Sequence, residues 1–177
     1  MKIAVVGSHG TGKSTLSQKL SEALNIPVIP DIVVEAYNKG FAINENTPLE
    51  TQFWLFSKQL ELEKNFGESW IADKCLIDYS VYGNVLLRDE RAKELLAEMI
   101  RRNASYDLIF YLPVEFPVPE DGVLRSTDPV FRQKIDEHYQ ELLKQWEIEH
   151  YFITGSVEER FEKAMEKIRE ISGSLPS

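Results

Sequence analysis

The sequence predicts an α/β fold, a five-stranded parallel sheet with helices on both faces in three layers, and three observations carry that expectation. Short apolar runs alternate along the chain with longer stretches whose apolar residues recur at helical spacing. The first run, Ile3-Ala4-Val5-Val6, is apolar at every position, as a strand covered on both faces must be. Directly behind it a glycine-rich stretch leads into an amphipathic segment, the strand, loop and helix that open a parallel α/β unit.

Taken in order, Lys2 to Val6 is the first strand, and Lys13 to Leu24 is a helix with Leu16, Leu20, Ala23 and Leu24 on one face, stopped at Asn25. Ile26-Pro27-Val28-Ile29-Pro30 is a second strand, placed at a sheet edge because proline cannot donate to a ladder. Asp31 to Tyr37 begins a helix with Asp31 as N-cap, ending near Gly40. Thr47-Pro48-Leu49-Glu50 reads as a capping box that opens a long helix to about Phe66. Its residues Leu49, Phe53, Phe56 and Leu60 have core spacing, while Gln52, Gln59 and Glu63 line a neighbouring stripe; Gln52 and Gln59, seven apart, could reach an acceptor, with simple exposure the preferred reading. Cys75-Leu76-Ile77 reads as a buried strand ending at Asp78, followed by a helix from Val81 to Leu87 and a charged helix from about Asp89 to Arg102. Tyr106 to Leu112 is the clearest strand after the first, broken by Pro113. From Pro113 to Pro129 the chain is proline-rich and aperiodic, as a mobile lid would be, and the lid-like segment is placed at about 113–132. Asp128-Pro129 starts a helix to about Glu147, and Tyr151 to Thr154 is the last strand. Ser156-Val157-Glu158-Glu159 is a second capping box, opening a helix to about Ile171.

A chain of 177 residues without a composition break reads as one domain over 1–177. Its net charge of −9 argues against a large nucleic acid or an anionic membrane as partner, yet allows a small anionic ligand held by a local cluster of cations. A lone cysteine, Cys75, excludes an internal disulfide and the usual cysteine zinc sites, and within an apolar run it reads as a core residue. The sequence shows no signal-like leader and no membrane-length apolar stretch, so a cytoplasmic protein is expected, as monomer or homodimer.

The stretch Gly7-Ser8-His9-Gly10-Thr11-Gly12-Lys13-Ser14-Thr15 fits GxxxxGK(S/T), the P-loop or Walker A pattern. Glycines let such a loop curl until its backbone N–H groups point at a polyphosphate, and the following helix adds the positive end of its dipole. Lys13 would reach the β- and γ-phosphates and Ser14 would ligate Mg²⁺, with the backbone of His9 rather than its ring doing the binding. Ligands of parallel sheets bind at the carboxyl ends of the strands, which collects Gly7 to Ser14, Asp31, Glu35, Asp78 and the lid at one rim. Phosphoryl transfer needs a donor cradle, a metal, a group to orient the acceptor and positive charge for the migrating phosphoryl. Asp78 can hold Mg²⁺ through water or take an acceptor proton, although a helix N-cap has the same appearance in sequence. Asp31 and Glu35, one turn apart, are acceptor-side carboxylates or else a cap and a solvated side chain. Arg125 and Arg132 are candidate lid cations.

These residues resemble the P-loop nucleoside and nucleotide kinases, and within them the small AAA_28-type ATP-binding kinase-like domains that include the nicotinamide-riboside kinase domain. The resemblance runs through the P-loop, Pro30-Asp31 to Glu35, Asp78, Asp121-Gly122 to Arg125, and Phe131-Arg132. It implies a strand order of 2-3-1-4-5, ATP·Mg as donor and a small hydroxyl- or phosphate-bearing acceptor, most simply a nucleoside or nucleotide, beneath a lid. Many relatives carry Asp-Arg or Glu-Arg at the end of the third strand, whereas Asp78 is followed by Tyr79, which weakens a monophosphate acceptor. The alternative is an ATP-binding regulatory switch with no small-molecule acceptor. A GTPase is disfavoured, because no Asn-Lys-x-Asp signal follows the Tyr106 to Leu112 strand.

Overall fold

β1 (Lys2–Val6) forms the middle of a five-stranded sheet with β2 (Val28–Ile29), β3 (Trp70–Asp73), β4 (Leu108–Tyr111) and β5 (Tyr151–Phe152), in the order β2-β3-β1-β4-β5. The structure is a computed structural model that describes residues 1–43, 47–117 and 128–174. Every neighbouring pair is parallel, with Val5 opposite Asp73 on one side of β1 and opposite Phe110 on the other. This is the expected α/β class and strand order.

Alternation along β1 divides the core into two layers. Ile3 and Val5 join Leu16 and Leu20 of α1 (Lys13–Leu24) and Ala164 and Ile168 of α7 (Val157–Ser174) on one face. Ala4 and Val6 face the other way, toward Ile77 and Val81 of α4 (Leu76–Leu86) and Ile135 and Tyr139 of α6 (Pro129–Gln145). A third cluster joins α2 (Val33–Asn38), α3 (Leu49–Asn65) and α5 (Glu90–Asn103) to α4 through Ala36, Leu55, Phe56, Tyr79 and Leu96. Fully buried Phe110 sits in the first of these layers, and truncating such a ring to alanine costs about 3–5 kcal/mol. The helix start signals hold at both later helices. Asp128 Oδ1 accepts from the Val130 amide at 2.8 Å, and Ser156 and Glu159 exchange the two bonds of a capping box at 3.2 and 2.7 Å.

The third strand is where sequence and structure part. Trp70 to Asp73 pairs with β1 and β2, and Cys75-Leu76-Ile77 opens α4 instead of forming a strand. Lys74 turns the chain with a positive φ of 88°, and Asp78 Oδ2 then accepts from the Cys75 amide at 2.9 Å, closing a capping box. Asp78 therefore stands in the first turn of α4 and does not end a strand, and α4 already contains the helix expected from Val81. A run of three apolar residues has no period of its own, so the cap decides its conformation. A second difference lies on α3, where Gln52 and Gln59 are buried at 2 and 1% exposure while Leu49, expected in the core, is 39% exposed. Ile32 rather than Asp31 is the N-cap of α2, although Asp31 Oδ1 still accepts from the Val33 amide at 2.9 Å. Cys75 is free and buried, and burial pushes its thiol well above the usual range, in line with a core role. Among the described residues no helix is long and apolar enough to cross a membrane.

Candidate active site

The loop between β1 and α1 can take its shape only with glycine at its two ends. Gly7 has φ 143°, and a Cβ there would sit 2.3 Å from the Leu112 carbonyl oxygen, because the loop leaves β1 hard against the end of β4. Gly12 (φ 92°) is the N-cap of α1 in a left-handed conformation. Between them the loop is fastened from several sides. Lys13 Nζ donates to the carbonyls of Gly7 at 2.9 Å and Ser8 at 2.8 Å, and Thr11 Oγ1 donates to Ser8 O at 2.8 Å. Ser8 Oγ donates to the Arg132 carbonyl at 3.0 Å, while the Arg132 side chain donates to His9 O at 2.9 Å, Gly10 O at 3.1 Å and Phe116 O at 2.5 Å. The His9 ring stacks on Phe131 and its Nδ1 lies 3.4 Å from the Tyr82 hydroxyl. Ser14 and Thr15 stand exposed in the first turn of α1.

Charges gather where β1, β2 and β3 end. Lys13 is buried, and burial lowers its pKa against the opposing fields of Asp73 and Asp78. Lys74 pairs with Asp31 at 3.2 Å. Burial works against the Lys74 charge, but Asp31, Tyr82, Asp78 and Asp73 together raise its pKa above the ordinary lysine value. For Asp31, burial pushes the carboxyl up, yet Lys74 and the Val33 amide outweigh it and hold its pKa below the usual range. Lys13, Lys74, Asp31 and Asp73 thus share one rim. Asp78 lies beneath it, 1% exposed, with Oδ1 accepting from Tyr139 OH at 2.7 Å and Oδ2 from the Cys75 amide at 2.9 Å. Burial raises the Asp78 pKa against the lowering effect of Lys13.

The sequence-expected residues therefore fare unequally. The loop, Lys13, Asp31 and Arg132 come together, with Arg132 on the loop's carbonyl side. Glu35 is exposed and pairs with Lys39 at 3.6 Å. Arg125 and the centre of the expected lid lie outside the described residues. Asp73 and Lys74, absent from the sequence-expected set, form an acidic-basic pair directly behind Trp70-Ile71-Ala72 that marks the true strand end. Gln52, expected to be exposed, is buried, and among the described residues its Oε1 has no hydrogen-bond partner, nor has the hydroxyl of Tyr79 on the facing helix.

A family model described as an AAA domain, AAA_28, matches residues 2–160. The chain belongs to the AAA_28 family. Among solved structures, this AAA_28 chain superposes on a deoxyadenosine kinase from M. mycoides, solved with dCMP and a flexible dCDP, with a TM-score of 0.72 and 22% identity over 97% of this chain and all (100%) of that one. It superposes on the NadR protein in complex with NR at a TM-score of 0.79 and 17% identity, spanning 99% of this chain but only 52% of NadR. A thymidylate kinase from Ehrlichia chaffeensis gives a TM-score of 0.67 at 14% identity, covering 95% of this chain and 98% of that one. The AAA_28 chain thus has the fold of the P-loop nucleoside and nucleotide kinases. No curated protein sequence matches it significantly.

Proposed function

We propose that this protein is a kinase that transfers the γ-phosphoryl of ATP·Mg to a small acceptor, a nucleoside or a nucleotide. The observation that carries the reading is the apposition of the Gly7–Thr15 loop with the Asp31, Asp73 and Lys74 cluster at the carboxyl ends of the neighbouring strands. The loop amides, from Ser8 through Thr15, cradle the triphosphate. Lys13 leaves its two carbonyl partners to reach the β- and γ-phosphates. The Ser14 hydroxyl, a hard oxygen donor of the kind Mg²⁺ prefers, would hold the ion, which would supply charge neutralisation on the phosphates.

We assign to Asp73, rather than Asp78, the part of acceptor-side base, because both Asp78 oxygens are already engaged, by the Cys75 amide and the Tyr139 hydroxyl. Asp31 orients Lys74, which takes the place of the arginine that many relatives carry after the acidic residue, so a phosphate-bearing acceptor is compatible with this site. Glu35 borders the acceptor at the outer edge of α2. Arg132, with three N–H groups on backbone carbonyls, holds the loop, and transition-state charge falls to Arg125. Gln52 and Tyr79, whose buried oxygens have no hydrogen-bond partner among the described residues, would read polar groups of the acceptor.

A panel of nucleosides and nucleotides incubated with ATP·Mg tests this. One acceptor should raise ADP release well above the rate with water alone, and Lys13→Ala should abolish the effect. Slow hydrolysis that no acceptor stimulates would point instead to the ATP-driven switch.

A further inference from the structure

The loop carbonyl that Lys13 and Arg132 leave untouched, that of Thr11, is taken by a residue from the far end of the chain. Arg160 of α7 donates from Nη1 to Thr11 O and from Nη2 to Glu115 Oε2 at 2.5 Å. Arg160 is 4% exposed, an unusual burial for a guanidinium. Glu115 stands in the segment that follows β4 and also accepts from the Gly155 amide at 3.2 Å, so it joins that segment to the turn before α7. The Arg160 guanidinium lies 5.1 Å from the ring centroid of Phe116, whose carbonyl is the one Arg132 holds. A Cβ on Gly12 would be 3.2 Å from Arg160 Nη1, so the guanidinium is pressed against the loop's last peptide.

The geometry has a directional consequence. In a trans peptide the carbonyl of one residue and the N–H of the next point opposite ways. Arg132 draws the carbonyls of His9 and Gly10 to one side, and Arg160 draws that of Thr11. The amides of Gly10, Thr11 and Gly12 are thereby aimed away from the two arginines, as donors in a phosphate cradle must be. We propose that Arg160 is a positioning residue of the donor site, which fixes the Thr11 peptide so that the Gly12 amide faces the polyphosphate and ties it through Glu115 to the root of the segment after β4. The inference rests on the donor reading above. It makes the phosphate loop and the start of the segment after β4 one unit, so a displacement at Glu115 is felt at the phosphates.

The test is binding of tripolyphosphate and of a fluorescent ATP analogue to the wild type, Arg160→Lys, Arg160→Gln and Glu115→Gln, with apo thermal unfolding recorded for each. Arg160→Lys keeps the charge but replaces the fork with one ammonium that cannot hold Thr11 O and Glu115 together. Its Kd for tripolyphosphate should rise about ten-fold, and that of Arg160→Gln at least as much. With an acceptor in hand, the loss should fall on the KM for ATP more than on kcat. A folded Arg160 variant that binds within about two-fold of wild type overturns the inference, even if its melting temperature has dropped, because its role is then structural only. If neither Arg160 variant folds, Glu115→Gln decides, with about a three-fold weaker Kd expected and an unchanged one overturning the proposal. A wild type that binds neither ligand overturns the donor reading and this inference with it, whereas tight wild-type binding with unaffected variants overturns this inference alone.

Discussion

Replacing Glu63 by glutamine should remove a pH dependence of stability that the fold builds into α3. Glu63 is buried beneath the start of α4, where Oε1 accepts from Gln59 Nε2 at 3.0 Å and from the Leu76 amide at 2.9 Å, and Oε2 from Tyr106 OH at 2.8 Å. Burial pushes its carboxyl from the usual 4.5 up to about 7, the three hydrogen bonds opposing the rise and Asp78 adding to it. Between those values the folded chain holds a proton that the unfolded chain has lost. Unfolding then releases a proton from this site, so the Glu63 contribution to stability is largest below pH ~4.5, falls as the pH climbs and levels off above pH ~7. At 1.36 kcal/mol per pH unit the whole fall is about 3 kcal/mol, roughly 6–12 °C in melting temperature for a chain of this size. Asp78 and Asp136 also have raised pKa values and contribute in the same direction, so the diagnostic quantity is the difference between wild type and Glu63→Gln. Urea unfolding of both proteins across pH 4.5 to 8 should show the wild type losing ground to the variant by about that amount. Parallel curves would mean that Glu63 stays ionised in the fold, and the reasoning from burial would fail.

Three further substitutions probe other parts of the structure. Gly7→Ala places a Cβ 2.3 Å from Leu112 O at a φ of 143°, so circular dichroism and urea unfolding should report a loss of more than about 3 kcal/mol together with loss of tripolyphosphate binding. Tyr139→Phe takes the donor from Asp78 Oδ1 in a buried pair and should cost about 1–3 kcal/mol in a urea titration, while the KM for ATP stays near wild type. Gln52→Ala should raise the KM for the acceptor about ten-fold and leave the KM for ATP unchanged, and equal changes in both would remove Gln52 from the acceptor side.

The sheet and the donor loop were legible because their signals are local. Ile3 to Val6 can only be a buried strand, the spacing of Gly7, Gly12, Lys13 and Ser14 has few other uses, and the capping residues Asp128 and Ser156 mark their helices within a turn. The acceptor side was harder to read because its signals depend on packing. Cys75 to Ile77 looks like a strand until Asp78 is seen to bond the Cys75 amide, and that one capping box moves the strand end to Asp73. The face of α3 that packs inward carries Gln59 and Glu63, which binary patterning assigns to solvent, and their partners Lys74 O, Leu76 N and Tyr106 OH explain their burial. Arg160 and Glu115 are far apart in sequence, and nothing local to either predicts that they meet over Thr11.

Transfer of label from the γ-phosphate of ATP to an acceptor separates a kinase from an ATP-driven switch. With γ-labelled ATP, Mg²⁺ and the acceptor that best stimulates ADP release, wild-type protein should yield labelled acceptor in step with ADP. Asp73→Asn should slow that transfer about 10²–10⁴-fold while binding of the ATP analogue is retained. Label that appears only as inorganic phosphate with every acceptor tried would exclude the kinase reaction, and an Asp73→Asn variant as fast as wild type would remove Asp73 from it.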